Sequence, residues 1–452
     1  MTQIHAGPKP LSWLGVVRLG LVQSALWAVV ALTTSTLNRI MVVEAAMPAV
    51  LPAAFVAWHY VVQLSRPRCG YGSDMGGMRT PWIIGGMGVL ALGALIATDA
   101  TLMIKASPLA GILLAMLGFS LIGAGVGASG TSLLALLASR TAPERRPAAA
   151  SITWIMMIVG IVVSAGVTGA LLQPFSAQRL ATIASGVAGI AFIVTLLAVW
   201  GAEGQTAVVA SPAQPAAAKP PVRQVVAEMW ADGLARRFTI FVFVSMLAYS
   251  AQELILEPFA GLVFHMTPGQ STQLSSLQHG GVLLGMILVG VLGARLGDRK
   301  RLWMRPWTIA GCAGSALALA GMAAASVVGP AWPLQPTVFV LGLANGVFAV
   351  SAIGSMMGLA GAGKTASREG VRMGIWGAAQ AAAFACGGFV GALGVDVMRR
   401  VLHADGTAFL AVFIGEALIF LVAAGLASKL DAPSARTSAS PAAPVELEGA
   451  PG

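Results

Sequence analysis

Charged and strongly polar side chains interrupt stretches of this sequence that are otherwise apolar. A lone charge inside a membrane costs about 2.5–3.5 kcal/mol on insertion scales, so each such group needs a partner or water. Glu253 and Glu257 are four residues apart and share one helix face, and Arg39 could lie opposite them across the centre of the fold. The predicted central polar cluster comprises Asn38, Arg39, Glu44, Glu253, Glu257 and Glu416. Such a cluster could hold a polar head group or couple protons, and the alternative is an interfacial patch that reaches outward to water.

Two histidines, His59 and His279, lie in apolar stretches, one in each half of the chain. A neutral imidazole in an apolar helix can ligate the magnesium at the centre of a chlorin ring. More often, a histidine in a membrane helix simply hydrogen-bonds a neighbouring helix. The residues alone leave both interpretations open, so His59 and His279 are candidate pigment ligands.

A short acidic and basic segment occurs twice, at residues 70–82 and again, more loosely, at 293–307. Each copy follows an apolar stretch and ends in a Pro-Trp pair where the next helix should begin. An aspartate at a helix end can accept backbone N–H bonds or pair with an arginine across the contact between two halves. The simpler alternative is a tight turn with solvated charges. The residues predicted to form these cytoplasmic gating loops are Asp74, Arg79, Asp298 and Arg299.

Other chemistry that the sequence suggests formally is excluded by its context. Residues 358–365 match the phosphate-loop pattern GxxxxGK[ST], but that motif needs a buried strand before it, and here an apolar helix precedes it. Cys69, Cys312 and Cys386 form no CxxC pair or Cys/His cluster, so neither a disulfide framework nor a zinc site is predicted. The aspartates never pair closely enough for a magnesium site of the kind that prenyltransferases use. We therefore expect no nucleotide, no metal site belonging to the protein, and no catalytic centre.

The composition indicates which solvent surrounds the fold. Of 452 residues, 57% are hydrophobic and only 10% are charged, whereas a soluble domain carries about 25% charged residues. Too few charges remain to cover a water-facing surface of this size. Since a membrane-spanning helix needs about 20 mainly apolar residues, the sequence predicts an all-α, polytopic membrane protein.

Twelve apolar spans are predicted, six on each side of a polar segment rich in Pro and Ala. They lie near residues 15–40, 48–65, 81–99, 108–139, 149–173, 179–200, 238–263, 276–297, 307–327, 335–361, 373–397 and 407–428. The duplicated loops fall at matching places in the two sets, which is typical of carriers built from two parallel halves. The predicted organisation is a six-helix half at 1–201, a cytoplasmic linker at 202–237, a second six-helix half at 238–430 and a disordered cytoplasmic tail at 431–452.

The net charge of +10 reflects membrane topology rather than binding to nucleic acid. When the spans are counted outward from an intracellular N-terminus, 22 of the 27 basic residues fall on the cytoplasmic side. The five exceptions are Arg39, Lys105, Arg179, Arg399 and Arg400. By the positive-inside rule, both termini and the linker are predicted to be cytoplasmic.

The duplicated loops resemble the cytoplasmic signature of the major facilitator superfamily, in which Gly, Asp and Arg follow the second helix of each half. Longer strings are similar to one branch of that superfamily, the PucC-type family. These strings are residues 18–23, 34–44 (TSTLNRIMVVE), 79–86 (RTPWIIGG), 252–261 (QELILEPFAG) and 277–281 (LQHGG). They extend over most of both halves, so the resemblance implies the major facilitator fold with twelve transmembrane helices.

The resemblance also implies a role in bacteriochlorophyll biosynthesis and photosynthesis, in the inner (intracytoplasmic) membrane of a phototrophic bacterium. The expected function is non-catalytic: binding or delivering bacteriochlorophyll, or a precursor, while light-harvesting complexes or photosystems assemble. Bacteriochlorophyll is then the expected cargo, with His59 and His279 as its candidate ligands. The suspected partners, besides the lipid bilayer, are bacteriochlorophyll synthase and light-harvesting or reaction-centre polypeptides.

The alternative is a proton-coupled exporter of small molecules with the same fold. Its proton site would be Glu253, Glu257 or Glu416.

Overall fold

The structure is a computed structural model that describes residues 11–66, 69, 73, 78–142, 145–203, 230–231, 233–295, 300–361 and 369–429. Within these residues the regular elements are helices, and no strand occurs among them. The predicted all-α fold is therefore confirmed. The predicted boundaries of the linker and the tail stay predictions, since residues 204–229 and 430–452 lie outside the described part of the chain.

The helices fall into two sets of six. The first half contains α1 (Trp13–Glu44), α2 (Val50–Val62, continued by a 3₁₀ turn at Gln63–Ser65), α3 (Thr80–Met103), α4 (Pro108–Arg140), α5 (Arg146–Leu171) and α6 (Ala177–Val199). The second half contains α7 (Gly233–Leu262), α8 (Pro268–Arg295), α9 (Lys300–Val328), α10 (Leu334–Gly361), α11 (Glu369–Leu402) and α12 (Asp405–Ser428).

Local sequence explains where several helices begin. Proline stands in the first turn of α3, α4 and α5, where its missing N–H would lack an intrahelical partner in any case. Serines cap α1 and α6: the Ser12 side chain accepts a bond from the Gly15 N–H at 3.2 Å, and Ser176 accepts one from the Arg179 N–H at 3.1 Å. These residues satisfy donors that a helix N-terminus leaves free.

Eleven of the twelve described helices are long and apolar enough to cross a membrane, and α2 is a shorter apolar helix. Several helices extend beyond their predicted limits, among them α1, which continues past residue 40 to Glu44, and α8, which begins at Pro268 instead of near residue 276. Hydropathy misses the start of α8 because Ser271, Thr272 and Ser275 are polar and yet buried against other helices.

Each half has its own apolar core. In the first half, Leu90, Phe119 and Leu133 are among the fully buried residues. In the second half, the ring of Phe348 on α10 lies 6.3 Å from that of Phe241 on α7 and 6.1 Å from that of Phe420 on α12. The halves also share buried apolar contacts: Leu254 and Ala392 of the second half join the first core, and a third cluster is formed by residues of α5 and α8.

Glycines bring α8 and α10 into main-chain contact. A Cβ atom at Gly342 would overlap the carbonyl oxygen of Gln278, and one at Gly346 would overlap that of Val282. The predicted role of these GxxxG glycines in helix packing agrees with this geometry, since small residues let membrane helices approach closely.

Two symmetrically related helix pairs join the halves: α5 packs against α8, and α2 packs against α11. The helix connections lie at two ends of the molecule. We call the turn end the one that carries the short connections at 45–49, 104–107, 172–176, 263–267, 329–333 and 403–404. The linker end is the opposite one, which carries the predicted linker at 202–237.

Candidate functional site

Helix α1 changes its hydrogen-bonding pattern where it meets the second half. Leu32–Thr36 and Ile40–Glu44 are π-helical, with a short α-helical stretch at Leu37–Arg39 between them. Wide turns of this kind occur frequently at functional sites. Just beyond the first one, the Asn38 side-chain amide donates to the carbonyl of Leu254 on α7 at 2.8 Å. Asn38, one of the predicted polar residues, therefore joins the two halves directly.

Glu257 on α7 is only 1% exposed and accepts hydroxyl hydrogen bonds from both halves. Ser35 of α1 donates to one carboxylate oxygen, and Thr272 of α8 donates to the other at 3.2 Å. The Thr272 hydroxyl also lies 3.3 Å from that of Thr36. We call Ser35, Thr36, Asn38, Glu257 and Thr272 the inter-half cluster. Only Asn38 and Glu257 of its members are predicted from the sequence.

Arg39 is buried beside this cluster but bonds elsewhere. The sequence predicts that Arg39 could lie opposite Glu253 and Glu257, but its hydrogen-bond partners are other groups. One terminal nitrogen lies 2.6 Å from a Glu44 oxygen, and the other donates to the Met266 carbonyl at 2.6 Å. The π-helical turn at Ile40–Glu44 brings Glu44 back toward Arg39, which hydropathy alone does not show.

Glu253 lies one turn before Glu257 and has aromatic neighbours. Its carboxylate shares a hydrogen bond with the Tyr249 side chain. The Tyr249 ring lies 5.9 Å from that of Phe384 on α11, which in turn lies 6.0 Å from that of Tyr60 on α2. These rings therefore connect the two halves near a partly exposed carboxylate. The sequence gives no sign of this grouping because Tyr60, the Tyr249–Glu253 pair and Phe384 are more than a hundred residues from one another.

Glu416 is separate from the other predicted polar residues. It lies on α12 inside the second half and is 3% exposed, and neither carboxylate oxygen has a hydrogen-bond partner among the described residues. Gln252 on α7 is equally buried, and its side-chain amide is likewise unpartnered. The predicted central cluster thus divides into an inter-half set and a residue that belongs to one half.

Both predicted histidines bond a carbonyl of their own helix through Nδ1. The distance is 2.5 Å from His59 to the Val56 oxygen and 2.9 Å from His279 to the Ser275 oxygen. A carbonyl can only accept, so Nδ1 carries the hydrogen and the neutral ring keeps its lone pair on Nε2. Within the described residues neither Nε2 has a hydrogen-bond partner. This is the tautomer of a histidine that ligates a metal through Nε2. His59 is fully buried, whereas His279 is partly exposed.

Of the predicted gating residues, only Arg79 lies within the described part of the chain; Asp74, Asp298 and Arg299 lie outside it. The Arg79 guanidinium donates to the Ala135 carbonyl at 2.8 Å and the Ser139 hydroxyl at 2.6 Å, both on α4. The start of α3 is held by Glu203, whose carboxylate accepts from the backbone N–H of Arg79 at 2.5 Å and of Thr80 at 2.9 Å. Sequence reasoning misses Glu203, which follows α6 and resembles an ordinary solvated acid.

A second capping carboxylate lies at the turn end. Asp396 on α11 accepts from the N–H groups of Ala49 and Val50, at 3.0 and 2.8 Å, where α2 begins. Because α2 and α11 belong to different halves, this contact also crosses between them. As for metal sites, the described ranges contain no group of three or more His, Cys, Asp or Glu side chains that could hold an ion.

The arrangement matches solved membrane transporters. A peptide transporter POT in complex with sulfate superposes with a TM-score of 0.68 at 14% identity, covering 94% of this chain and 96% of that one. A D-xylose-proton symporter gives a TM-score of 0.68 at 14% identity, covering 92% and 96%. At such low identity the likeness concerns the fold alone. The fold is that of a major facilitator carrier, as predicted.

The family follows from sequence. The family model described as PUCC protein matches residues 36–435, so this chain belongs to the PucC family. A protein of Rhodobacter capsulatus named "Bacteriochlorophyll synthase 44.5 kDa chain" is 52% identical over 420 residues, covering 92% of this chain and 95% of the relative. A "Protein PucC" of the same organism is 29% identical over 440 residues, covering 93% and 92%. The predicted family is thus confirmed, and with it a bacterial membrane protein related to photosynthesis.

Proposed function

We propose that this protein binds bacteriochlorophyll, or a late precursor, and delivers it to light-harvesting or photosystem polypeptides without catalysing a reaction. Membership of the PucC family supports this proposal, as does the bacteriochlorophyll-related name of a relative with 52% identity. The carrier fold supports a role in holding or moving a molecule rather than converting it.

The observation that carries the proposal is the tautomer of the two histidines. Each ring donates through Nδ1 to a backbone carbonyl and keeps Nε2 available. Imidazole nitrogen is a suitable axial ligand for the magnesium of a chlorin, and the backbone bond fixes the ring orientation. His279 is the better placed of the two because it is partly exposed, whereas a pigment would have to displace neighbours to reach His59.

The test compares two pigments that differ only in the metal. The purified chain in lipid nanodiscs is titrated with bacteriochlorophyll a and with magnesium-free bacteriopheophytin a, and binding is followed by near-infrared absorption. If Nε2 of His279 ligates magnesium, His279→Leu weakens bacteriochlorophyll binding, because the variant has no nitrogen to ligate the metal. The same variant leaves bacteriopheophytin binding unchanged, because that pigment has no metal to ligate.

His403→Leu is the matched control, since His403 is exposed in the connection between α11 and α12. It should bind both pigments like the original chain, while His59→Leu measures the contribution of the buried ring. Bacteriochlorophyll binding that is the same in all three variants would remove both histidines as ligands. Failure of the original chain to bind either pigment would contradict the proposed function itself.

The proposed partners follow from the same relative. We propose a non-catalytic association with bacteriochlorophyll synthase, from which the chain would receive pigment for antenna or reaction-centre polypeptides. Affinity isolation of the tagged chain from phototrophically growing cells should recover the synthase together with bound pigment. Recovery of pigment alone would contradict the association and leave the binding proposal standing.

Proton-coupled export of small molecules is the second candidate. It is favoured by the buried carboxyls of Glu257 and Glu416, which have no cationic partner within hydrogen-bond distance. In proteoliposomes loaded with a pH-sensitive dye, an exported compound would move protons in the original chain and not in Glu257→Gln or Glu416→Gln. Absence of coupled proton movement across a panel of sugars, peptides and nucleosides, together with pigment binding, would decide against this function.

A further inference from the structure

We propose that the two halves are fastened at the turn end by a reciprocal latch. In this latch a buried charge from each half binds main-chain groups of the other half. Asp396 of the second half holds the start of α2, and Arg39 of the first half holds the carbonyl of Met266, just beyond the end of α7. The inference concerns movement of the halves and does not depend on which molecule the protein carries.

The Asp396 contact matches a negative charge to a helix N-terminus. Its two carboxylate oxygens accept separately from the N–H groups of Ala49 and Val50, and the residue is 9% exposed. The first N–H groups of a helix have no intrahelical acceptor and carry partial positive charge, so a carboxylate there is favourable. If α2 moved away from α11, it would leave both the N–H groups and the charge without these partners.

The Arg39 contact is the converse, a positive charge at a helix C-terminus. Arg39 is 1% exposed and donates to the Met266 carbonyl at 2.6 Å, four residues after α7 ends at Leu262. Cations are favoured near the C-terminal end of a helix, where carbonyl groups lack partners. A Cβ atom at Gly261 would lie 2.9 Å from a Val43 methyl carbon and 3.0 Å from the nearer guanidinium nitrogen of Arg39, so the glycine lets both side chains of α1 approach α7 closely.

The other helix pair that joins the halves, α5 with α8, is also closely packed. A Cβ at Gly169 of α5 would come within 2.7 Å of the Gly269 carbonyl of α8, and the Ser276 hydroxyl donates to the Val162 carbonyl at 2.8 Å. The structure therefore has the turn end shut. Carriers of this kind expose a central site by rocking one half against the other. Opening the turn end must therefore break both latch contacts, which leaves Asp396 without its N–H donors and the Met266 carbonyl without the Arg39 donor, although Arg39 keeps its pairing with Glu44. Leaving a buried carboxylate without donors is unfavourable. With the predicted topology, the latch closes the side of the membrane away from the cytoplasm.

The latch is tested by measuring the distance between the two halves at the turn end. Spin labels are attached at Lys105→Cys and Val328→Cys, two exposed positions in different halves. The background lacks the native Cys69, Cys312 and Cys386. Double electron–electron resonance of the purified full chain in nanodiscs then reports the distribution of distances with and without the latch residues.

Asp396→Asn and Arg39→Gln should each add a longer-distance population, and the double variant should enlarge it. Asp405→Asn is the matched control, because Asp405 is also an acid at the turn end but pairs at 2.6 Å with Arg399 of its own half. It should leave the distribution unchanged. Asp396→Asn and Arg39→Gln distributions that match that of Asp405→Asn would overturn the latch.

A second variant covers the case in which the charge changes prevent folding. Gly261→Ala keeps every charge and favours the helix, but its methyl group crowds the Arg39 guanidinium and the Val43 side chain, both on α1. We expect a longer-distance population from this variant as well. If Asp396→Asn and Arg39→Gln do not yield monodisperse protein, an unchanged distribution in Gly261→Ala refutes the latch.

Discussion

Glu257 and Glu416 are both buried glutamates in the same half, yet their surroundings differ. Glu257 is bonded by hydroxyl groups from α1 and α8, which belong to different halves. Glu416 lies within the second half, and neither of its oxygens has a partner. The set of groups around Glu257 must therefore change whenever the halves separate, whereas that around Glu416 need not.

This difference indicates which carboxyl can sense the conformation of the protein. A proton or a ligand donor that replaces the Ser35 hydroxyl on Glu257 alters a contact between the halves. The same event at Glu416 alters only the interior of one half. If the protein couples binding to movement of its halves, a change at Glu257 can affect that movement. A change at Glu416 affects only the interior of the second half.

The largest effect is expected from Glu257→Leu. The substitution leaves the buried hydroxyls of Ser35 and Thr272 without their acceptor, and each unsatisfied group costs about 1–3 kcal/mol. We expect the free energy of unfolding, measured by steric trapping in micelles, to fall accordingly. The triple variant Glu257→Leu, Ser35→Ala, Thr272→Val removes those hydroxyls too and should recover part of the loss. If the triple variant is less stable than Glu257→Leu alone, the hydrogen bonds of these hydroxyls to Glu257 do not stabilise the protein.

Glu416→Leu should change stability in the opposite direction. Replacing an unpartnered buried polar group by an apolar one removes a desolvation penalty of about 1–3 kcal/mol, so the free energy of unfolding should rise. Glu416→Gln keeps the shape and most of the polarity, and should lie between the original chain and the leucine variant. A fall in stability in Glu416→Leu would mean that the carboxyl has a stabilising partner when the protein is in the membrane.

The smallest effect is expected from Thr36→Val. It removes one hydroxyl contact, the 3.3 Å approach to Thr272, and such bonds in membrane proteins contribute about 0.6 kcal/mol. Unfolding in micelles should register a loss of that order. Thr98→Val is a control inside one half, because the Thr98 hydroxyl bonds only the Ala94 carbonyl of its own helix. If the free energy of unfolding falls no further in Thr36→Val than in the control, the contact between the Thr36 and Thr272 hydroxyls does not stabilise the association of the halves.

The fold could be predicted because bilayer burial imposes a strong pattern on the sequence. Long apolar spans and the duplicated loops were sufficient to place twelve helices in two sets. The start of α8 was hidden because its buried Ser271, Thr272 and Ser275 read as polar. Hydropathy describes the solvent preference of an isolated side chain. It does not account for the hydrogen bonds that allow a hydroxyl to be buried within or between helices.

The site could be predicted only in part. Asn38 and Glu257 stand out as polar residues in apolar helices, and both join the halves. Their partners Ser35 and Thr272 are common residues in membrane helices and carry no signal of their own. The partner of Arg39 depends on a π-helical turn that rotates Glu44 toward it, which regular helical spacing does not predict.

The close approach of α8 to α10 has a mechanical consequence. With Gly342 and Gly346 lying against the carbonyls of Gln278 and Val282, no side chain separates the two backbones, so neither helix can slide or twist without the other. A displacement of α8 at its contact with α5 is therefore coupled to α10.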